Sequence, residues 1–190
     1  MNEFIALVQE LFPSISPYTA EKALKAISEN FKDKRQMEFC TSYPFEYLAQ
    51  GDIISSIPFT FTDEYGNDRT LNAKGFLLSN TCDAENDEFV LFSPVLPVEV
   101  YTQQGLDRHN IENNKYTKLL YIPSRIIANH VVDFSIVNPF PRNLIVRLID
   151  EGRISKVATL NLWGYYLFLS KLTVHFMRPE DIEVNNSRAS

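Results

Sequence analysis

Gly75-Phe76-Leu77-Leu78 and Phe89-Val90-Leu91-Phe92 are uninterrupted apolar runs of strand length, bounded by polar turn formers. Such runs are too short for helices and predict two strands buried on both faces, paired as a hairpin. Between them Asp83, Glu85, Asp87 and Glu88 predict a solvated loop, with Cys82 where the first strand runs into it. Upstream, Ile53-Ile54 and the alternating residues 57–62 read as a strand in which Pro58 argues for an edge or a bulge. A strong turn over Asp63-Glu64-Tyr65-Gly66-Asn67-Asp68 then leads back through Arg69-Thr70-Leu71. Downstream, residues 98–101 are expected to continue the second run, residues 102–118 to be helical or irregular, and 119–123 and 131–137 to be strands, with Pro139-Phe140-Pro141 ending the last. Residues 142–150 fit helix or strand equally, and 154–160 alternate as a final short strand.

Helical spacing marks the two ends of the chain. Phe4, Ile5, Val8 and Leu11, then Ala23, Leu24, Ile27 and Phe31, predict two amphipathic helices over 2–12 and 19–31, followed by the polar run 32–36 and a short helical piece over 44–49. Near the other end Asn161 caps a helix over 162–177 whose apolar residues, Leu162, Trp163, Tyr166, Leu167, Leu169, Leu172, Val174 and Phe176, nearly encircle it. A helix apolar on all sides must be largely buried. Its one polar ridge is Lys171, His175 and Arg178, and Pro179 stops it. The elements together predict an α+β protein with a barrel-like β core. Residues 1–49 form a helical extension, 50–184 the barrel domain with its C-terminal helix, and 185–190 a frayed tail.

Composition agrees with a single globular domain: 190 residues, 45% hydrophobic and 22% charged. No apolar stretch reaches spanning length and the N-terminus is acidic rather than a basic leader, so a cytoplasmic protein without membrane contact is expected. The two cysteines, Cys40 and Cys82, belong to no metal spacing, and neither a metal nor a cofactor is expected. The net charge of −6 is uneven: acids dominate residues 51–100, whereas Arg and Lys outnumber acids over 101–178. That asymmetry permits an anionic ligand, although solvated turns and helix faces explain it as well.

Gly51-Asp52 opening a strand, the turn-rich hairpin, the run KGFLLSN, a strand ending in Ser93-Pro94-Val95 and a small-residue strand feeding a C-terminal helix together resemble the PemK/MazF-type toxin domain. The resemblance covers roughly residues 51–176 with insertions. It implies an SH3-like β-barrel and a bacterial or phage toxin or defence protein that binds or cleaves RNA without a metal, with an antitoxin-like protein and a second copy of the chain as candidate partners. Gly51, Asp52, Ser79 and Pro94 match the family's pattern. Lys74-Gly75 stands where the family has Arg-Pro, and Leu96 or a neighbour stands where it has Thr or Ser, so the cleaving pair is not reproduced.

Metal-independent RNA cleavage needs a base for the 2′-hydroxyl and cations for the phosphate, and Lys74, Arg69, His175 and Lys171 supply those types, with Ser79 and Arg178 as further ligand contacts. The plainer reading makes Lys74 an edge-strand guard and His175 a helix-end cation. A different chemistry makes Cys82 a nucleophile with His109 or His130 as base and Asp83 as orienter, but its visible neighbours are acids, which do not favour a thiolate. Asp83-x-Glu85-x-Asp87 lacks the glycine and the distal glutamate of a calcium loop. A third class, a non-catalytic protein-interaction module, is open as well.

Overall fold

The computed structural model describes residues 38–42 and 45–177. Its strands are β1 (Cys40–Thr41), β2 (Ile53–Thr62), β3 (Asp68–Leu77), β4 (Phe89–Pro97), β5 (Leu119–Tyr121), β6 (His130–Asp133), β7 (Asn138–Pro141) and β8 (Lys156–Leu160). The helices are α1 (Thr81–Asn86), α2 (Val98–Thr102), α3 (Arg108–Glu112), α4 (Arg142–Asp150) and α5 (Leu162–Met177). The expected helices over 2–12 and 19–31 lie outside the described residues, as does the tail. The strands form one antiparallel eight-stranded sheet in the order β1-β8-β2-β3-β4-β6-β5, with β7 also pairing β4. The path is open: its end strands share no ladder among the described residues, although the Phe39 N–H donates to the Pro123 carbonyl at 3.0 Å across the gap.

The expected central hairpin is present, Lys74 opposite Val95 through Leu77 opposite Phe92. Both faces of the sheet are covered there, because consecutive residues enter different cores. Phe76 joins the cluster packed by Leu167 and Phe168 of α5, while Leu77 joins the cluster packed by Ile145 of α4. A third cluster gathers Leu96, Val98, Tyr101 and Ile111 under α2 and α3. Alternation thus predicts burial here only as a continuous run, which is what a strand between two layers requires.

Several elements differ from the sequence expectation. Residues 81–86, expected as loop, form a helix that Asn80 caps by accepting from the Cys82 N–H at 3.0 Å. Residues 98–101 turn into a helix instead of extending β4, after Pro97 at φ −59°. The strand expected over 131–137 stops at Asp133, whose carboxylate accepts from the Ser135 N–H at 2.9 Å and closes a turn. Pro139-Phe140-Pro141 does not terminate a strand but belongs to one, at an edge where missing N–H groups are tolerated. Residues 45–49 are not helical: Lys156 Nζ donates to the Phe45 and Tyr47 carbonyls, so a side chain replaces the helix's own ladder.

The C-terminal helix has the expected bounds, but its burial is one-sided. Phe168 is fully buried and Lys171 nearly so, whereas Leu162, Trp163, Val174 and Phe176 are exposed. The ridge expected on the outside therefore includes an inward residue, because the helix seats itself by Gly164, where any Cβ would come within 2.2 Å of the Phe39 carbonyl oxygen.

Candidate functional site

The central strands frame an open cleft of about 400 Å³. Its floor is apolar: Leu71 and Ala73 from β3, Val95, Leu96 and Pro97 from β4, and Val100 from α2. Lys74 of β3 and His130 of β6, both half-buried, line it as well, with Ser55, Ser56 and Asn72 at the β2 side. β4 is what joins the two: Lys74 lies opposite Val95, and His130 opposite Pro97, two residues further along.

Local structure fixes each group. The β2 register shifts between Ile54 and Ile57, so Ser55 and Ser56 form a bulge. Ser55 is tied twice to Ser155, which precedes β8, its N–H donating to the Ser155 carbonyl and its Oγ accepting from the Ser155 N–H, both at 2.9 Å. Ser56 Oγ donates to Asn72 Oδ1 at 2.9 Å. Beside Lys74, Gly75 has no alternative in the packing, since a Cβ would stand 2.6 Å from Ile57 Cγ1. His130 Nδ1 lies 2.7 Å from the Ala128 carbonyl. A carbonyl oxygen only accepts, so Nδ1 carries the proton and, in the neutral ring, Nε2 keeps the free lone pair. Among the described residues no carboxylate lines the cleft, and Lys74 is its one permanent charge.

The other residues singled out from the sequence lie elsewhere. Arg69 Nε donates to Asp63 Oδ2 at 2.8 Å and braces the β2-β3 turn, five residues along β3 from Lys74. Ser79 Oγ accepts from the Leu91 N–H at 2.9 Å. Lys171 is buried, its Nζ donating to the Asn114 carbonyl at 2.6 Å, and burial pulls its ammonium down to about 8. His175 rests against the Phe134 ring at 5.8 Å and does not line the cleft. Arg178 lies outside the described residues.

Cys82 and Asp83 are exposed in the first turn of α1. That helix sits at the Phe89 end of β4, where the Arg142 N–H donates to the Glu88 carbonyl at 2.9 Å and Arg142 Nε to the Ala84 carbonyl at 2.8 Å. His130 is at the Pro97 end, about 26 Å away by strand rise, too far to serve Cys82 as base. His109 is exposed on α3, with the Asn113 amide lying across its ring. The other thiol, Cys40, is buried, and desolvation pushes it up to about 12, the reverse of an activated nucleophile. Among the described residues no three His, Cys, Asp or Glu side chains are grouped to hold a metal ion, and no helix is long and apolar enough to cross a membrane.

His130 beside Lys74, and the serine pair with Asn72, were not legible as a site. The available signal was Ser55-Ser56 interrupting the apolar pattern of β2, which marks a bulge.

No family model matches the chain, and no curated protein does. Among solved structures, the MazE-MazF structure (form II) from Deinococcus radiodurans is similar over 70% of this chain and 99% of that one, at 11% identity and a TM-score of 0.39. That likeness is too loose to bear on the site.

Proposed function

We propose that the cleft binds an RNA strand and cleaves it without a metal ion, within a toxin or defence setting in the cytoplasm. The observation that carries this reading is the meeting of Lys74 and His130 in one cleft that holds no carboxylate. A polyanion entering it meets a cation, two serine hydroxyls and an amide, and no like charge. His130 Nε2 accepts the 2′-hydroxyl proton, the 2′-oxygen bonds to the adjacent phosphorus, and the bond from phosphorus to the 5′-oxygen breaks. Lys74 neutralises the phosphoryl oxygens through this step and is the available proton donor for the departing 5′-oxygen. The products are a 2′,3′-cyclic phosphate and a 5′-hydroxyl.

The resemblance to PemK/MazF-type toxins supports the same place. Lys74, and Leu96 with its neighbours Val95 and Pro97, among which the positions of that family's cleaving pair fall, line the cleft. In this reading His130 supplies the chemistry that Leu96 and its neighbours lack. The sheet is then an SH3-like barrel with two seams, one at Phe39 and Pro123 and one where the Asn138 amide meets the Thr60 backbone.

The test is incubation of pure protein with a long unstructured RNA in EDTA. Wild type and Cys82→Ala should cut, whereas Lys74→Ala and His130→Gln should lose most cleavage. RNA left intact by wild type sinks the reading. Cleavage that survives both Lys74→Ala and His130→Gln moves the site away from this cleft.

A further inference from the structure

The structure points to a docking face on α5, and we propose that its occupant is the chain's own N-terminal segment, residues 1–37. This inference is independent of the RNA reading. α5 is apolar on nearly all sides, yet the described residues cover only one of them: Phe168 and Lys171 face the core, while Leu162, Trp163 and Val174 are exposed and Tyr166 is half-buried. At 100° per residue Leu162, Trp163, Tyr166, Thr173 and Val174 share one side of the helix, a stripe about 18 Å long. A helix apolar all round belongs in an interior, so this stripe lacks its cover.

The chain itself enters at the right place. Asn161, which begins α5, donates from Nδ2 to the Glu38 carbonyl at 2.6 Å and from its backbone N–H to the Phe39 carbonyl at 3.0 Å. The first described residue, Glu38, is therefore held at the end of α5 that carries Leu162 and Trp163. The sequence places Ala23, Leu24, Ile27 and Phe31 on one side of an amphipathic segment, 19–31, whose helical length of about 18 Å equals that of the stripe. Residues 32–37 can reach about 20 Å when extended, ample for the segment to lie alongside α5 at ordinary helix spacing. A second copy of the chain would have to find this face by encounter, whereas residues 19–31 are tethered within reach of it at high effective concentration.

Trp163 is the chain's single tryptophan and lies in the stripe, so it reports the cover directly. In the full-length protein its emission should be blue-shifted and poorly quenched by acrylamide, at every protein concentration tested. Leu24→Asp with Ile27→Asp should shift the emission to the red and raise quenching several-fold, the milder Leu24→Ala with Ile27→Ala should do so in part, and Lys22→Glu with Lys25→Glu, on the opposite side of the segment, should do neither. Near-ultraviolet circular dichroism checks that each variant keeps its fold. Wild-type Trp163 quenched like free tryptophan overturns the proposal, as does shielding unchanged by the alanine and aspartate pairs in folded protein. Shielding that disappears on dilution, with a dimer in sedimentation, assigns the face to a second copy and overturns it equally.

Discussion

Replacing Lys156 by methionine tests how the loop before β2 is held. Lys156 Nζ lies 2.9 Å from Asp52 Oδ2 and 2.7 Å from the Phe45 carbonyl, and it also donates to the Tyr47 carbonyl. Asp52 is completely buried, and its other oxygen, Oδ1, has no hydrogen-bond partner among the described residues. With Lys156→Met the carboxylate keeps only the Ala49 N–H, 2.9 Å from Oδ2, and becomes a buried charge without a counter-ion. Breaking a buried pair from one side costs about 3–5 kcal/mol, because the remaining charge is uncompensated. The two freed carbonyls add little, since Phe45 and Tyr47 lie on an exposed loop that water reaches. For a chain of this size each kcal/mol moves Tm by about 2–4 °C, so a drop of roughly 10 °C is expected in calorimetry. Asp52→Asn with Lys156→Met removes both charges and should recover most of the loss, giving a coupling energy of about 2 kcal/mol or more in the double-mutant cycle. A Tm within about 2 °C of wild type for Lys156→Met refutes the argument.

Gly164→Ala should destabilise the protein by about 2 kcal/mol, since the overpacking cost exceeds the gain of about 1 kcal/mol in helix propensity; urea unfolding reads it. The Phe39 oxygen that the new methyl would meet at 2.2 Å cannot swing away, being held by the Asn161 N–H. Lys171 makes stability depend on pH. Burial lowers its ammonium from 10.5 to about 8, so the folded state binds that proton less tightly than the unfolded chain does, and stability present above 10.5 is lost as pH falls through 8. Between pH 8 and 10.5 wild type should gain up to about 3 kcal/mol relative to Lys171→Met, and parallel curves for the two proteins would contradict this.

The central hairpin was legible because four apolar residues in a row at 75–78 and at 89–92 leave no polar face for a strand to show to water. Residues 98–101 misled for a physical reason: Val-Glu-Val-Tyr alternates as a strand does, and only the Val98 N–H donating to the Asn129 carbonyl at 2.9 Å, with helix beginning after Pro97, decides otherwise. β7 was hidden by its prolines, which read as terminators until a partner strand is known. The candidate site was half legible. Lys74 stood out by its charge between apolar residues, but His130 reaches it only through the pairing of β6 with β4, and nothing local in the sequence encodes that pairing. Lys171 looked like surface because it shares a ridge with His175 and Arg178, whereas its exposure is decided by which side of α5 carries Gly164.

Two asparagines give the sheet a property of their own. Asn138 donates from Nδ2 to the Thr60 carbonyl at 3.1 Å and accepts at Oδ1 from the Thr60 N–H at 2.8 Å. Asn114 does the same for Tyr121, at 2.9 and 2.8 Å. Each side-chain amide thus imitates a peptide group and occupies both hydrogen-bonding positions of one residue on the outer edge of β2 or β5. A strand from another molecule that approached either edge would find its first rung taken, so these amides act as guards against runaway strand addition. With Phe61, Tyr65 and Phe89 exposed as well, closing these edges removes one route by which copies of the chain could stick together.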